Sequence, residues 1–525
     1  MSQVFVRKTS GLVRDIGALD AFLLSVGSIA PTVFAIMTIV SWTSVLYPGA
    51  DVLLAMFIGM IPMLIFGLTY AFLGAAMPRS GGDYVWISRT VNPLIGYMCS
   101  WAFTLLVIIS MGLDMTYTTS VMLSIPLVVL GNYFSNPSLV ALGTTVYTNP
   151  NYTFLVAALF IASGGVILIF GKKALSVVMR FVFFIQMLSV IIFCGLLVGV
   201  TPQTFAPIFN SYTGISVTHI MSQASNAGWA PSTFSLYTTI STMPLMVFLY
   251  NGLSYPTVAA GEIKRVSRSL MIAVVGGLIF SWIVNSVGAW LMLNAFGYDF
   301  LQATYYLSAN GQWALPAPPY AAYFVSMLTN NIVLLLLLNV GLFLSLWILE
   351  LVKYFIITRT FFAWSFDRLI PRFVADVSPK FFTPTKAIAI AGILTIVAAA
   401  GDVYTPYFAY YLNTYSLTCL VWAVGGVTAL IFPYVRKEVY STSPIKYEIG
   451  KIPVISILGA IQIPLMLFIA YNGLTNPILA PVSTPAYVMS IIFFASGIVA
   501  YLVARWYRNT RGLDISLVFK EVPPM

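Results

Sequence analysis

The stretch VGSIAPT, Val26–Thr32, lies inside a strongly apolar run from residue 21 to residue 40. Gly27 loosens a helical backbone. Pro31 lacks the amide hydrogen that a helix interior needs, and its ring clashes with the carbonyl four residues earlier. Two hydroxyl side chains in the same stretch offer the main chain other hydrogen bonds. The stretch therefore predicts a helix that breaks in the middle of an apolar segment.

The amino-acid composition identifies the class of protein. The chain has 525 residues, of which 60% are hydrophobic and 8% are charged, whereas soluble globular domains have about 25% charged residues. No soluble domain of this length can bury so much apolar surface. We therefore expect an all-α polytopic membrane protein.

Cysteine and histidine usage argues against metal, cofactor and enzyme chemistry. The three cysteines all lie in apolar runs, where thiols are usually packing residues. The single histidine, His219, has no cysteine or acidic cluster near it in the sequence. We expect no metal site, no cofactor and no catalytic site.

Twelve stretches reach the length of about 20 apolar residues that crosses a bilayer. The longest insert on the basic side, 361–383, is too short for a soluble domain, so we expect residues 1–525 to form a single transmembrane domain. The predicted spans, numbered 1 to 12, are 19–46, 52–77, 92–124, 152–170, 175–199, 242–263, 268–296, 326–360, 384–401, 405–434, 453–475 and 485–507.

The basic residues support this number of spans. With twelve spans, all 25 Lys and Arg residues fall on one side of the membrane or in the adjoining half of a span. The positive-inside rule makes that side cytoplasmic. We therefore predict a multi-pass protein of the cell membrane with both termini in the cytoplasm. The net charge of +10 then reflects topology and contact with the lipid bilayer, and no nucleic-acid partner is expected.

A second break lies in span 6, where the sequence FLYNGLSYP, Phe248–Pro256, interrupts another apolar segment. Paired broken spans in two halves of a chain are typical of transporters built from inverted repeats. A broken span frees N–H groups that suit an anion and carbonyls that suit an ammonium group. A kink used only for helix packing is the alternative interpretation of each break.

Four stretches resemble the amino acid–polyamine–organocation (APC) permeases. They are GSIAPT in span 1, MPRSGGDYVWISRTVNPLIGYMCSW at Met77–Trp101, FLYNGLSYPTVAAGEIKR at Phe248–Arg265, and TRTFFAWSFDRLIPRFVADVSPKFFTP at Thr358–Pro384. The resemblance implies a leucine-transporter-type fold with a 5+5 inverted repeat. Residues 19–199 and 242–434 would form the two five-helix repeats, spans 1 and 6 would be discontinuous, and 453–507 would form two peripheral helices.

The resemblance also implies where a substrate binds. Its carboxylate would meet main-chain N–H groups of span 1, and its ammonium would meet carbonyls of spans 1 and 6. Ala30 and Pro31 stand where most of the family has glycine, and Pro31 can donate nothing. Phe248 or Tyr250 would act as an aromatic gate. The substrate-binding candidates are Ser28, Ile29, Ala30, Thr32, Phe248, Leu249, Tyr250 and Gly252.

Two further positions bear on the coupling ion. Some family members carry in span 5 a lysine that stands in for sodium, and Gln186 occupies that position in this chain. A sodium site in this fold uses hydroxyls of span 8, where only Ser345 is available. The resemblance therefore favours a proton over sodium as the coupled ion.

Acidic residues within or beside the spans are the remaining coupling candidates, because charge in lipid is costly. Asp20 is predicted to cap the first helix. Glu350 has Lys353 three residues later, and a structural ion pair is one interpretation. Asp114 has no basic neighbour at helical spacing. It could carry a proton or bind an amine, and a protonated carboxyl bonded to a neighbouring helix is the alternative.

Five charged residues on the basic side form a predicted cytoplasmic gate, namely Arg79, Arg89, Glu262, Arg359 and Asp367. The alternative is that they are surface charges that obey the positive-inside rule and close nothing.

These observations favour a secondary active transporter that moves an amino acid or a related organic amine by alternating access and is driven by protons. Spans 1, 2, 6 and 7 would rock against spans 3, 4, 8 and 9. A polyamine or other amine permease or exchanger, and a non-transporting scaffold or sensor on the same fold, are the alternatives. A scaffold gains nothing from unsatisfied backbone in the middle of the membrane.

Overall fold

Long apolar helices make up most of the chain. The computed structural model describes residues 14–29, 31–378, 380, 383–405, 414–476 and 484–520. Within these residues, 11 helices are long and apolar enough to cross a membrane, which confirms the all-α polytopic architecture. Their bounds are Ala18–Ile29 with Val33–Leu46 for span 1, Val52–Ala76 for span 2, Pro93–Tyr117 continuing to Tyr133 for span 3, Pro150–Ile169 for span 4, Lys172–Leu197 for span 5, Val266–Met271 continuing to Phe296 for span 7, Ile332–Phe366 for span 8, Thr385–Tyr404 for span 9, Thr414–Val435 for span 10, Val454–Thr475 for span 11 and Thr484–Asn509 for span 12.

Span 6 is the one predicted span that is not among these 11 long helices of the described residues. Its interruptions divide it into short helices. One helix covers Met243–Tyr250, a second short helix covers Tyr255–Val258, and a 3₁₀ turn follows at Ala260–Glu262. Span 1 is likewise divided between Ile29 and Val33. Both predicted helix breaks are thus confirmed. Ala30 lies outside the described residues.

Side-chain caps fix where several helices begin. The Thr32 side chain accepts a hydrogen bond from the backbone N–H of Ala35 at 3.3 Å and so starts the second half of span 1. Asn331 accepts from the N–H groups of Val333 and Leu334 and starts span 8. Such caps satisfy N–H groups that have no partner inside the helix.

Span 8 differs most from its predicted bounds of 326–360, because it begins at Ile332 and ends at Phe366. Asn331 caps the helix later than apolarity alone suggests, and Asp367 ends it. Span 3 also runs further than predicted, through a π-helical segment at Thr118–Leu123.

The stretches between the predicted spans contain short helices, and polar side chains cap those that begin at Pro137, Pro202, Val217 and Leu236. A two-stranded antiparallel sheet pairs Glu448–Ile449 with Ile452–Pro453 before span 11. The short helices are Asp83–Thr90, Pro137–Thr148, Pro202–Thr213, Val217–Asn226, Leu236–Ser241, Tyr298–Ala309, Ala321–Ser326, Arg372–Ala375, Lys437–Thr442 and Ile515–Phe519.

Span 8 is central to the packing and contacts spans 3, 4, 5 and 9. Span 11 packs on span 10, and span 12 packs on span 3 at the periphery. Span 5 turns an apolar face outward, where Phe181, Phe184 and Ile191 are 63–66% exposed. Such a face suits lipid.

Candidate functional site

A cavity of about 510 Å³ opens between the helices on the side of the two breaks away from the basic residues. Spans 1, 3, 6, 8, 9 and 10 contribute to its wall, together with the chain at the start of span 4. None of the described residues that line it is basic. Its principal side chains are Trp42, Asp114, Tyr117, Phe248, Asp402 and Tyr415.

The two helix breaks meet at Ser28 and Gly252. The Ser28 hydroxyl lies 2.9 Å from the Gly252 carbonyl oxygen and within 3.0 Å of the Leu24 and Ser25 carbonyl oxygens. Gly252 has a φ of +91°, and a Cβ placed on it would lie 2.5 Å from the Ser28 Cβ. Only glycine accepts this backbone angle and this contact together.

The break in span 6 leaves carbonyl groups without helical partners. The N–H of Asn251 donates to the Phe248 carbonyl at 3.3 Å. Within the described chain, the carbonyl oxygens of Leu249 and Tyr250 accept no hydrogen bond. Carbonyls of this kind suit an ammonium group.

On the other broken span, span 1, the first helix ends at Ile29, and the Thr32 side chain caps the second helix by accepting a hydrogen bond from the Ala35 N–H.

Phe248 lines the cavity, whereas Tyr250 does not. The Phe248 ring packs against Trp42 and Tyr415, with ring centres 5.1 and 5.0 Å apart. The Tyr250 side chain is fully buried on the other side, where its hydroxyl donates to the Met56 carbonyl of span 2 at 3.1 Å. Of the two predicted gate aromatics, Phe248 is the one with access to the cavity.

Asp114 is not the lone carboxyl that helical spacing predicts. The Lys353 ammonium, on span 8, forms an ion pair with the Asp114 carboxylate on span 3. The same ammonium donates to the Ser110 hydroxyl at 2.7 Å. The expectation was wrong because the basic partner comes from another helix. Asp114 also lines the cavity, so this ion pair lies at the cavity wall.

Glu350 does not pair with Lys353, although the two residues are three positions apart on one helix. Glu350 is fully buried, and neither carboxyl oxygen has a hydrogen-bond partner among the described residues. Its side chain lies against span 4, where a Cβ on Gly164 would come within 3.3 Å of Glu350 Oε1. The predicted pair is therefore wrong, because Lys353 points to span 3 instead.

Asp20 does not cap the first helix. It lies in the first turn of the helix Ala18–Ile29, and its carboxylate accepts three hydrogen bonds from the Arg180 guanidinium and one from the Ser176 hydroxyl. An ion pair to span 5 therefore replaces the predicted cap.

Gln186 and Ser345 are both buried and bonded to main-chain carbonyls. The Gln186 amide donates to the Leu344 carbonyl of span 8 at 2.8 Å. The Ser345 hydroxyl donates to the Gly341 carbonyl one turn earlier at 2.9 Å. These bonds join span 5 to span 8 and satisfy the serine within its own helix.

Asp402 is a cavity residue that sequence reasoning missed. It lies near the end of span 9, one residue beyond the predicted bound, and its Oδ2 is 2.5 Å from the Thr116 hydroxyl of span 3. No ion pair involves Asp402 in the described part of the chain. The sequence feature that could have identified Asp402 is an acidic residue in an apolar stretch with no basic residue within four positions.

At the opposite, basic end, Glu262 binds two cations. Its carboxylate lies 3.0 Å from the Arg359 guanidinium and 2.8 Å from the Lys172 ammonium. The Glu262 carbonyl also accepts the N–H groups of Asp15 and Ile16. This cluster ties the chain before span 1 to the end of span 6, to span 5 and to span 8.

A second buried ion pair closes the same end between Arg89 and Asp367, whose side chains approach to 2.6 Å. The Tyr84 hydroxyl donates to the same Asp367 oxygen at 2.6 Å. Burial raises the pKa of Tyr84 well above its ordinary value, so this hydroxyl remains a donor. The Arg79 backbone lies beside Gly261, and its guanidinium donates to the Pro78 carbonyl. All five predicted gate residues thus lie at this end.

The short helix Ile515–Phe519 packs on the Arg89–Asp367 ion pair. The Phe519 ring lies 4.9 Å from the Arg89 guanidinium carbon. The Arg436 guanidinium donates to the Arg89 carbonyl, with the Nε–O distance at 2.7 Å. Phe519 and Arg436 together therefore shield Arg89 from water.

Across the described ranges, no three His, Cys, Asp or Glu side chains come together in a way that could hold a metal ion. The cavity offers carboxylates, hydroxyls, carbonyls and aromatic faces, which are groups that bind a small polar organic molecule.

Comparison with known proteins agrees with this site chemistry. Residues 16–497 match the sequence model of a family described as "Amino acid permease". The glutamate/serine transporter AimA of Bacillus subtilis (strain 168) is 28% identical over 247 residues, which cover 46% of this chain and 41% of AimA. The branched-chain amino acid permease BcaP of the same organism is 21% identical over 406 residues, which cover 75% of this chain and 76% of BcaP.

Proposed function

This chain belongs to the amino acid permease family, and from that premise we propose that it is a secondary active transporter of amino acids or related organic amines, driven by protons. The observation that carries the proposal is that the two broken helices meet, Ser28 against Gly252, and that both broken spans contribute to the wall of a cavity of about 510 Å³, through Phe34 and Phe248. Mid-membrane breaks are tolerated where they are buried in protein or line a water-filled cavity, and paired breaks form the substrate sites of many transporters.

Alternating access is supported by the difference between the two ends of the molecule. Two buried ion-pair clusters, around Glu262 and between Arg89 and Asp367, join helices at the basic end. The cavity opens away from that end. We propose that the basic end is cytoplasmic, as the positive-inside rule requires, and that these clusters form the closed inner gate of an outward-open transporter in the cell membrane.

The proposed motion uses the two halves of the chain as inverted repeats, 19–199 and 242–434. Spans 1, 2, 6 and 7 would rock against spans 3, 4, 8 and 9. Opening the inner end then requires the Glu262–Arg359 and Arg89–Asp367 pairs to separate, because each joins a residue of spans 1–6 to one at span 8.

A proton suits the coupling better than sodium does. Gln186 and Ser345 are satisfied by main-chain carbonyls of span 8, and Ser345 is the only span 8 hydroxyl at the predicted sodium position. Buried carboxyls, in contrast, are present at Asp114 and Glu350, and carboxyls can carry protons across a membrane.

An amine without a carboxylate is the second candidate substrate. Asp402 places a carboxyl group without an ion-pair partner in the cavity, while none of the described lining residues is basic. Pro31, beside the proposed carboxylate position, has no N–H to donate. These features favour a substrate that carries positive charge.

Uptake by purified protein in liposomes tests the proposal. We expect saturable accumulation of at least one of four labelled probes, serine, leucine, lysine and putrescine, when a proton gradient is imposed. Absence of saturable uptake of all four, with correctly inserted protein, would contradict transport. Accumulation driven by a sodium gradient alone would contradict proton coupling.

A further inference from the structure

We propose that Glu350 holds the coupled proton and that Lys353, bound to Asp114, is the counter-ion that limits the number of protons to one. This inference deepens the proposed function and depends on its proton coupling. It begins from the unexpected partner of Lys353, which is the carboxylate on span 3 and not the one on its own helix.

The burial of Glu350 requires it to be neutral in this conformation. Its exposed fraction is zero, and neither oxygen has a partner among the described residues. An ionised carboxylate taken out of water without a partner is strongly destabilised, and such a group takes up a proton instead. Glu350 is therefore a carboxylic acid while it lies against Gly164.

A charge count gives the number of protons. The buried group contains two carboxyls, on Asp114 and Glu350, and one ammonium, on Lys353. Lys353 neutralises Asp114, so a single proton on Glu350 makes the group neutral. The side chain of Lys353 is only 2% exposed, which leaves water little access to its ammonium group.

Among the residues that the structure describes, the surrounding helices bring no other counter-ion to Glu350. Span 3 contributes Asp114, and span 4 has no charged residue. Tyr354, on the same helix, is occupied because its hydroxyl donates to the Ile161 carbonyl at 3.0 Å. The other charged groups of the helices around span 8 lie near helix ends or in ion pairs, namely Asp20 with Arg180, Glu262 with Arg359 and Lys172, Asp402 near the end of span 9, and Lys386 with Asp376.

Release of the proton is a simple acid dissociation. When rocking moves span 1 away from span 8, which it contacts at Gly27 and Val352, and admits water to Glu350, the O–H bond of the carboxyl breaks and the proton passes to water. The resulting carboxylate keeps the electron pair and is stabilised by water and by Lys353. Return to the buried position requires the carboxylate to take up a proton again, so each passage carries one.

The test compares Glu350→Gln with the wild type by two measurements. The amide imitates the neutral acid in size and cannot release a proton. Infrared difference spectroscopy of purified protein, titrated with pH, should lose one protonated-carboxyl signal in this variant. In liposomes, proton-driven accumulation of the four labelled probes should be lost, while exchange of internal for external probe continues.

Asp376→Asn is the matched control, since Asp376 forms an exposed ion pair with Lys386 outside the spans. It should keep the infrared signal and the accumulation. An unchanged infrared signal or unchanged accumulation in Glu350→Gln would overturn the inference, and so would loss of exchange together with accumulation, which indicates a structural role. Failure of the wild type to transport any probe would instead contradict the proposed function.

Discussion

Lys353 on span 8 binds Asp114 on span 3, and Glu350, one turn earlier on the same helix as Lys353, has no ionic partner among the residues that the structure describes. The ion pair joins two helices that line the cavity, and it lies next to a buried acid. This arrangement connects the cavity wall to the proposed proton site through one ammonium group.

Replacing Asp114 with Asn tests the charge count. The variant removes the carboxylate that holds Lys353, so the ammonium becomes available to Glu350 three residues away. Glu350 should then ionise and lose its proton. We expect proton-driven accumulation of the probes in liposomes to be lost, while exchange of internal for external probe continues. Normal accumulation would contradict the shared-lysine arrangement.

Replacing Gly252 with Ala tests the contact between the two breaks. A Cβ at this position would lie 2.5 Å from the Ser28 Cβ, and the φ of +91° is strained for alanine. Strain and overpacking together should cost about 2–4 kcal/mol and separate the broken helices. Equilibrium binding of the probes should weaken at least about tenfold. Gly195→Ala is the control, because a Cβ there meets nothing within 4 Å.

Replacing Phe248 with Ala tests the aromatic wall. Phe248 packs against Trp42 and Tyr415 at the cavity. Truncation removes these contacts and enlarges the cavity, so we expect the KM of uptake to rise about tenfold or more. The corresponding change at Phe184, which faces outward on span 5 and is 65% exposed, should leave KM unchanged. Equal effects of both substitutions would argue against a binding role.

Replacing Asp367 with Asn tests the inner gate. The change leaves the Arg89 guanidinium buried without its carboxylate, which costs about 3–5 kcal/mol for an ion pair of this kind. The closed inner end should lose stability, and a cysteine introduced nearby should react faster with a membrane-impermeant thiol reagent added from inside. Unchanged labelling would indicate that the pair does not hold the gate closed.

The pH dependence of stability tests the burial of Asp83, at the start of the helix Asp83–Thr90. Burial raises its pKa from 3.8 to about 6. The folded state therefore holds a proton that the unfolded state has already lost, and this group makes the protein less stable as pH rises from about 4 to about 6. Asp83→Asn should remove this pH-dependent loss of folding free energy, which amounts to at most about 3 kcal/mol. Melting curves in detergent at several pH values measure the difference, and parallel pH profiles of both proteins would contradict it.

The breaks in spans 1 and 6 were predictable because the local sequence determines them. Proline and glycine carry their backbone preferences wherever they occur, so Pro31 and Gly252 indicated the two interruptions directly. The location of the five predicted gate residues at one end of the molecule likewise followed from charge and topology. Loop helices were missed because their caps are short polar motifs in stretches that have no apolar periodicity.

The partners of buried charges were not predictable in the same way. Helical spacing made Glu350 a candidate ion-pair partner of Lys353. The actual partner, Asp114, lies 239 positions away in the sequence and is brought close by helix packing, which spacing on one helix does not reveal. The same holds for Asp20, whose partner Arg180 comes from span 5. Long-range ion pairs depend on helix packing, and helix packing is a property of the whole fold.

Simultaneous recording of probe uptake and proton uptake by the wild-type protein in liposomes tests the central claim most directly. The measurement uses a labelled probe outside and a pH-sensitive dye inside, with sodium absent. We predict that saturable probe flux is accompanied by proton flux in a fixed ratio of one to one. Probe flux without proton flux, or flux that appears only when sodium is added, would contradict the account.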